Sequence, residues 1–202
     1  MPRRTGESGQ SWATFLQNHS PRIWACDFTI AHDLLFRPLY IFVFIELQTR
    51  RIIHVNVTAA PHDPWVAQQL REATAWDRHP DYLIHDRDNK YGSQFSNLAT
   101  HTGINELVTP YQAPKANAFC ERFIGSLRRE CLDHELVLGR EQLQRVVAAY
   151  IDYYNRSRPH QGIEQRMPTF FHYSPERPTG KVTSVPILGG LHHSYSRAAY
   201  LH

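Results

Sequence analysis

The order of strand-like and helix-like segments predicts an α/β fold, a mixed five-stranded sheet flanked by helices. Three observations carry this. Leu39 to Leu47 (LYIFVFIEL) is a near-continuous apolar run, the pattern of a strand buried on both faces. Three strand-like segments follow one another before any helical pattern begins, which makes an antiparallel meander. From Asp63 onward the two-residue period gives way to helical spacing, and helices then alternate with short strands.

The elements follow in order. Residues 1–20 (MPRRTGESGQSWATFLQNHS) are polar with little periodicity and read as a flexible N-terminal arm. Ile23 to Thr29 is the first strand and Leu39 to Leu47 the second. After the polar turn Gln48-Thr49-Arg50-Arg51, the alternating Ile52 to Val57 is the third. Asp63 is placed as an N-cap and Pro64 at the first helical position, with Trp65, Gln69, Leu70, Ala73 and Trp76 at helical spacing. Tyr82 to His85 is a fourth strand running into the polar cluster HDRDNKYG. Ser93 to Thr102 is a helix closed by Gly103, and Asn105 to Val108 is the fifth strand. Beyond a loop bracketed by Pro110 and Pro114, Asn117 to Leu138 reads as one long helix. After Gly139 comes a second, Glu141 to Tyr154, with Leu143, Val146, Val147 and Tyr150 on one face. Pro, Gly, Ser and His then increase. The expected layout is an arm over 1–20, a core over 21–168 and an extended tail over 169–202.

Composition narrows the class. The 202 residues are 42% hydrophobic and 20% charged, enough for a core and against wholesale disorder. The longest apolar run is far too short to cross a bilayer, and no export signal is visible. Cys26, Cys120 and Cys131 are odd in number and never in CxxC spacing, which points to a reducing, cytoplasmic setting without a disulfide framework or zinc knuckle. Net charge is +3, and of 22 basic residues the lysines are Lys90, Lys115 and Lys181. Arginine's rigid fork of donors suits phosphate oxygens; an arginine-favouring genome gives the same bias. GxGxxG, GxSxG and HExxH are absent, and Thr179-Gly180-Lys181 fails as a phosphate loop because Pro175 stands where its first Gly belongs.

Three carboxylates carry the chemistry. Asp27 lies at the end of the first strand in WACDFT, Asp86 follows the fourth strand in LIHDRDNKYG, and Glu121 sits in the first turn of the long helix. If strands one and four lie side by side with that helix packed against them, the three converge. Close carboxylates repel unless neutralised, and oxygen-only ligands favour Mg²⁺ or Mn²⁺ over zinc. Two such ions roughly 3.5–4 Å apart can flank an in-line displacement at phosphorus. Taken singly, Asp27 reads as an ordinary strand-end acid and Glu121 as first-turn dipole complementation. Asp88 is the rival second ligand.

Phosphate-gripping candidates surround the long helix: Lys115 just before it, Asn117 at its start, and Arg122, Arg128 and Arg129 along it. Arg128 lies two turns beyond Glu121; the alternative is a solvated face offset by Glu130 and Asp133. Asn117 holds the loop, touches DNA or caps the helix. Tyr153, Tyr154, Asn155, Arg158 and His160 form a DNA-contact patch or else lock the last helix onto the sheet. His85 is expected as a packed supporting residue rather than a general base, Cys120 as packing, and His192-His193 as a feature of the tail.

These motifs resemble the catalytic core of insertion-sequence transposases related to retroviral integrases. The resemblance runs from about Ile23 to about Pro168. It rests on Trp24 with Asp27-x-Thr29, on His85-Asp86-Arg87-x-x-x-Tyr91 before Phe95, and on Thr109-Pro110. Asn117-Ala118-x-x-Glu121-Arg122-x-x-x-x-Leu127 and Tyr153-Tyr154-Asn155-x-x-Arg158-Pro159-His160 complete it. One departure is a spacing one residue shorter than usual between Asp86 and Glu121, placed in the loop Tyr111 to Ala116. The resemblance implies an RNase H-like fold with Asp27, Asp86 and Glu121 as catalytic metal ligands for two Mg²⁺ or Mn²⁺ ions. It also implies phosphodiester hydrolysis at transposon ends, followed by attack of the freed 3′-hydroxyl on target DNA. DNA and a homo-oligomer are the implied partners, in the cytoplasm of a prokaryote, associated with the nucleoid. A helix-turn-helix specificity module is expected to be separate or missing, since the core takes up most of these residues. The alternatives are an inert DNA-binding remnant and an RNase H-like nuclease that does not join strands.

Overall fold

The computed structural model describes residues 12–75, 78–109, 117–172 and 180–197. Its first part contains α1 (Trp12–His19), β1 (Ile23–His32), β2 (Pro38–Glu46), β3 (Ile52–Thr58) and α2 (Asp63–Ala73). Then come β4 (Tyr82–His85), α3 (Ser93–His101), β5 (Asn105–Val108), α4 (Ala118–Glu130), α5 (Arg140–Arg156), β6 (Val182–Ile187) and β7 (His192–Arg197). The central sheet has five strands in the order β3-β2-β1-β4-β5. β1, β2 and β3 pair antiparallel as a meander, while β4 joins β1 and β5 joins β4 in parallel.

β2 lies inside the sheet with both faces covered. Ile41, Val43 and Ile45 face one layer with Ala25, Phe123, Leu127, Leu143 and Tyr150. Phe42 and Phe44 face the other with Trp24, Val66, Leu70, Leu83 and Phe95. Successive side chains alternate faces in a strand, so this single apolar run anchors α4 and α5 on one side and α2 and α3 on the other.

Five segments depart from expectation. Residues 12–19 of the expected arm form a helix, because Phe15 packs edge-on against Tyr82 at 5.2 Å and gives the helix a place on the core. Asp63 begins α2 but does not cap it: the cap is His62, whose ring accepts from Trp65 N. The Asp63 carboxylate instead accepts from Gln94 N and Phe95 N, both at 2.9 Å, and so caps α3. Gly92 is required there, since a Cβ would stand 2.6 Å from Asp63 Cγ. α2 ends at Ala73, and Trp76 lies outside the described residues. The long helix expected to Leu138 stops at Glu130, where buried Cys131 turns the chain and Val137 reaches the core, its carbonyl accepting from Leu34 N at 3.0 Å. The tail expected to be extended folds into the β6–β7 hairpin. His192 stacks on Tyr153 at 4.5 Å and donates to the Glu130 carbonyl, so this histidine is a docking contact.

Candidate active site

Strand register brings Asp27 and Asp86 together. Ala25 pairs with Ile84 in the parallel β1–β4 ladder, and each acid lies two residues further on. Ile23, Ala25 and Ile84 face the α4–α5 layer, so the same alternation turns the Asp27 carboxylate to that side, while Asp86 follows directly on the end of β4. The other face receives Cys26 and His85. Both are buried, and Tyr91 touches both: its hydroxyl accepts from Cys26 Sγ at 3.8 Å and its ring lies 4.3 Å from the imidazole.

The start of α4 completes the arrangement. Asn117 immediately precedes the helix but makes no capping bond with its side chain. Its Nδ2 donates to Asp27 Oδ2 at 3.2 Å and to the Cys26 carbonyl at 3.3 Å, fixing the helix start over β1. Asp27 Oδ1 accepts from Phe28 N at 2.7 Å. Glu121 follows one turn along, its amide bonded to the Asn117 carbonyl, with its side chain exposed. Burial raises the Asp27 pKa to about 7 against the effect of the Phe28 amide, and the nearby charges of Asp86, Glu121 and Asp88 push it the same way. Among the described residues no group of three or more His, Cys, Asp or Glu side chains stands close enough together to hold a metal ion.

The neighbours of Asp86 are fixed. His85 Nδ1 bonds the Asp86 carbonyl at 2.7 Å and its Nε2 bonds Glu106 Oε2 at 3.1 Å. That bond from His85 holds the Glu106 carboxyl below its ordinary range. Glu106 was not apparent from sequence, because a half-buried acid on a short strand carries no motif of its own. Asp88, the rival ligand, is paired with Lys90. Cys120 is buried, and burial raises its thiol pKa well above the usual value, as a packing residue requires.

The basic candidates separate into three situations. Arg128 donates to Thr29 Oγ1 at 2.7 Å and to the Ile30 carbonyl at 3.0 Å, tying α4 to β1. Arg158 grips Glu130 with Nε at 2.8 Å and Nη2 at 2.6 Å, a two-pronged pair. Burial works against the charge on Glu130, yet Arg158 and the Tyr150 hydroxyl hold its carboxyl below the usual range. Arg122 and Arg129 are exposed on α4. Lys115 and the loop Tyr111 to Ala116 lie outside the described residues. In the last patch, Asn155 accepts from Ile52 N at 2.9 Å and donates to Ile52 O at 3.0 Å, so it locks α5 onto β3.

Known proteins resemble this chain in sequence and in fold. Residues 102–168 match the family model described as an integrase core domain, a stretch that contains Glu121 but neither Asp27 nor Asp86. An uncharacterized 39.2 kDa protein of insertion element IS476 from Xanthomonas euvesicatoria is 25% identical over 170 residues, 84% of this chain and 48% of its own. The transposase of insertion element IS904 from Lactococcus lactis is 25% identical over 137 residues, 66% of this chain and 54% of its own. The chain thus spans about half the length of these curated relatives. The HTLV-2 integrase catalytic core, solved with magnesium in a trimeric form, superposes with a TM-score of 0.59 at 12% identity, over 76% of this chain and 97% of that one. The mixed sheet and its helices are therefore the RNase H-like fold of integrase catalytic cores. The family match and the insertion-element relatives support the integrase-like transposase core that the sequence motifs resemble.

Proposed function

We propose that this chain is the catalytic core of an insertion-sequence transposase, one that cleaves a phosphodiester at a transposon end and joins the freed 3′-hydroxyl to target DNA. The reading is supported by the β1–β4 register, which sets Asp27 and Asp86 each two residues beyond the paired Ala25 and Ile84, and by the charges of Asp86 and Glu121, which help to raise the Asp27 pKa. An all-oxygen donor set with excess negative charge suits Mg²⁺ or Mn²⁺, and Asp27, Asp86 and Glu121 would hold two such ions. Divalent cations, when bound, supply charge neutralisation to the reacting phosphodiester.

The chain's own residues supply position. Asn117 fixes one oxygen of Asp27 and the Phe28 amide the other, so this carboxylate has little freedom to swing. His85, held by Glu106, braces the backbone of Asp86 from the opposite face. Both of its ring nitrogens are engaged, which fits a positioning role rather than general-base catalysis. Arg128 clamps α4 against β1 and keeps the Glu121 turn beside Asp27. DNA as substrate, Arg122 and Arg129 as contacts to it, and a multimer that brings two ends together belong to the same proposal. Arg128, Arg158 and Asn117 join the DNA surface only through donors not already spent inside the protein.

The test is cleavage of transposon-end DNA in Mg²⁺ or Mn²⁺ by wild type and Asp86→Asn. The variant should lose nicking and strand transfer while keeping its circular dichroism spectrum; undiminished cleavage would refute the assignment. A second reading, an inert DNA-binding remnant, draws on the lack of a closed metal-binding group among the described residues. Mn²⁺ titration separates the two, since an intact site gains thermal stability with the ion and a dead one does not.

A further inference from the structure

A second polar feature lies away from the carboxylates. Between the β2–β3 turn, α4 and the segment after α5 is a cavity of about 640 Å³. Arg50, Arg122, Arg129 and Arg158 line it together with Phe119 and Tyr154, and among the described residues no Asp or Glu lines it. Arg158 is neutralised by Glu130, whereas Arg50, Arg122 and Arg129 make no ion pair among the described residues. On a helix that advances about 100° per residue, Arg122 and Arg129 stand about 100° around α4 from Glu121 and Arg128. The cavity therefore opens on a different face from the candidate active site.

Arg50 is the unusual member. Its backbone is left-handed at φ 64, a conformation that L side chains adopt at a cost and that a turn would ordinarily give to Gly or Asn. The side chain folds back over the Phe119 ring at 3.9 Å, and its Nε and Nη1 are buried without a hydrogen-bond partner. Unpaired buried guanidinium donors are expensive. Burial and the Arg122 charge depress the Arg50 pKa to about 10, against a smaller opposing effect of Tyr154. An acceptor carrying several oxygens and negative charge would satisfy these donors and relieve the repulsion.

We propose that this cavity is a phosphate-binding site, with Arg50 at its base and Arg122 and Arg129 at its rim. The ligand chemistry is a phosphate ester, supplied either by the backbone of a nucleic-acid strand or by a small phosphate compound. The first source extends the DNA-handling reading above; the site itself does not depend on the metal chemistry.

Thermal melts in EDTA with inorganic pyrophosphate test it, against sodium chloride at matched ionic strength. Pyrophosphate should raise the melting temperature of wild type and of Asp86→Asn, and should lose most of that effect on Arg50→Met and on Arg122→Gln. Arg122 is exposed, so its variant keeps the test decisive if loss of the Arg50–Phe119 stack prevents folding. Equal shifts in wild type and in the folded variants, or a shift no larger than chloride gives, would overturn the proposal. Fluorescence anisotropy with a short single-stranded deoxyoligonucleotide then identifies the source. If the strand occupies the cavity, pyrophosphate competes with it and Arg50→Met lowers the salt dependence of binding by about one counterion. Oligonucleotide binding indifferent to both, with the pyrophosphate shift intact, assigns the cavity to a small phosphate compound. A pyrophosphate shift that persists while Asp86→Asn still cleaves DNA would sink the proposed catalysis and leave the phosphate site standing.

Discussion

Replacing Asp27 by Asn should make the metal-free protein more stable at alkaline pH, even though it removes a proposed catalytic group. The native pKa of about 7 lies above the ordinary 3.8, so the folded state holds this proton where the unfolded chain has released it. Stability from this group is full below the unfolded value and falls as pH rises through the native one. The shift costs about 1.5 kcal/mol at pH 5 and about 4 kcal/mol at pH 8, a difference of about 2.5 kcal/mol. Water reaching the half-buried carboxylate screens part of this, leaving roughly 1–2.5 kcal/mol. For a chain of this size that corresponds to roughly 3–8 °C in melting temperature. Asn keeps an oxygen for the Phe28 amide but gives up one acceptor, a cost of about 1 kcal/mol that does not vary with pH. The pH dependence is therefore the decisive quantity. Melts from pH 5 to pH 8 in EDTA should show wild type losing more stability than Asp27→Asn over that range. Added Mn²⁺ should restore wild type and leave the variant unmoved. Parallel profiles for the two proteins would refute the electrostatic reasoning, and an equal response to Mn²⁺ would remove Asp27 from the ligand set.

Two further predictions concern the frame that holds the site. Asn155→Ala leaves both backbone groups of buried Ile52 without their partner and should cost about 2–4 kcal/mol in a urea titration; a loss under 0.5 kcal/mol would show that another group takes over the bond between α5 and β3. Gly92→Ala pushes a methyl into the Asp63 carboxylate that caps α3, so it should destabilise by about 1–3 kcal/mol, and adding Asp63→Ala should bring back less than an additive loss. Strict additivity in that cycle would mean that the two residues do not meet.

The five strands were legible because each is a short apolar or alternating run, and Tyr82–His85 and Asn105–Val108 have the bounds that their patterns imply. The three acids could be singled out as candidates because their sequence context is local, Asp86 following a strand end and Glu121 standing in a helix's first turn. Asp27, expected at the end of the first strand, lies mid-strand because β1 runs on to His32 in its pairing with β2. Elements whose reason to exist is a distant partner were harder to read. Residues 12–19 become helical through Phe15 on Tyr82, and the tail hairpin is docked through His192 on Tyr153. Neither contact leaves a periodic trace. Side chains that serve another element were misread for the same cause, as with Asp63, which caps α3 rather than its own helix.

By itself, then, the sequence determined the class of fold and the strand order along the chain, and it nominated three acids as candidates, since periodicity and local context are properties of neighbouring residues. Tertiary structure decided which cations are free to meet a ligand. Arg128 and Arg158 look in sequence like the arginines beside them, yet one is spent on Thr29 and Ile30 and the other on Glu130. Arg50, from a turn with no motif, lies over Phe119 with two buried donors unpaired. A guanidinium's availability depends on what stands within about 3 Å of it, and that is fixed by packing between elements far apart in the chain.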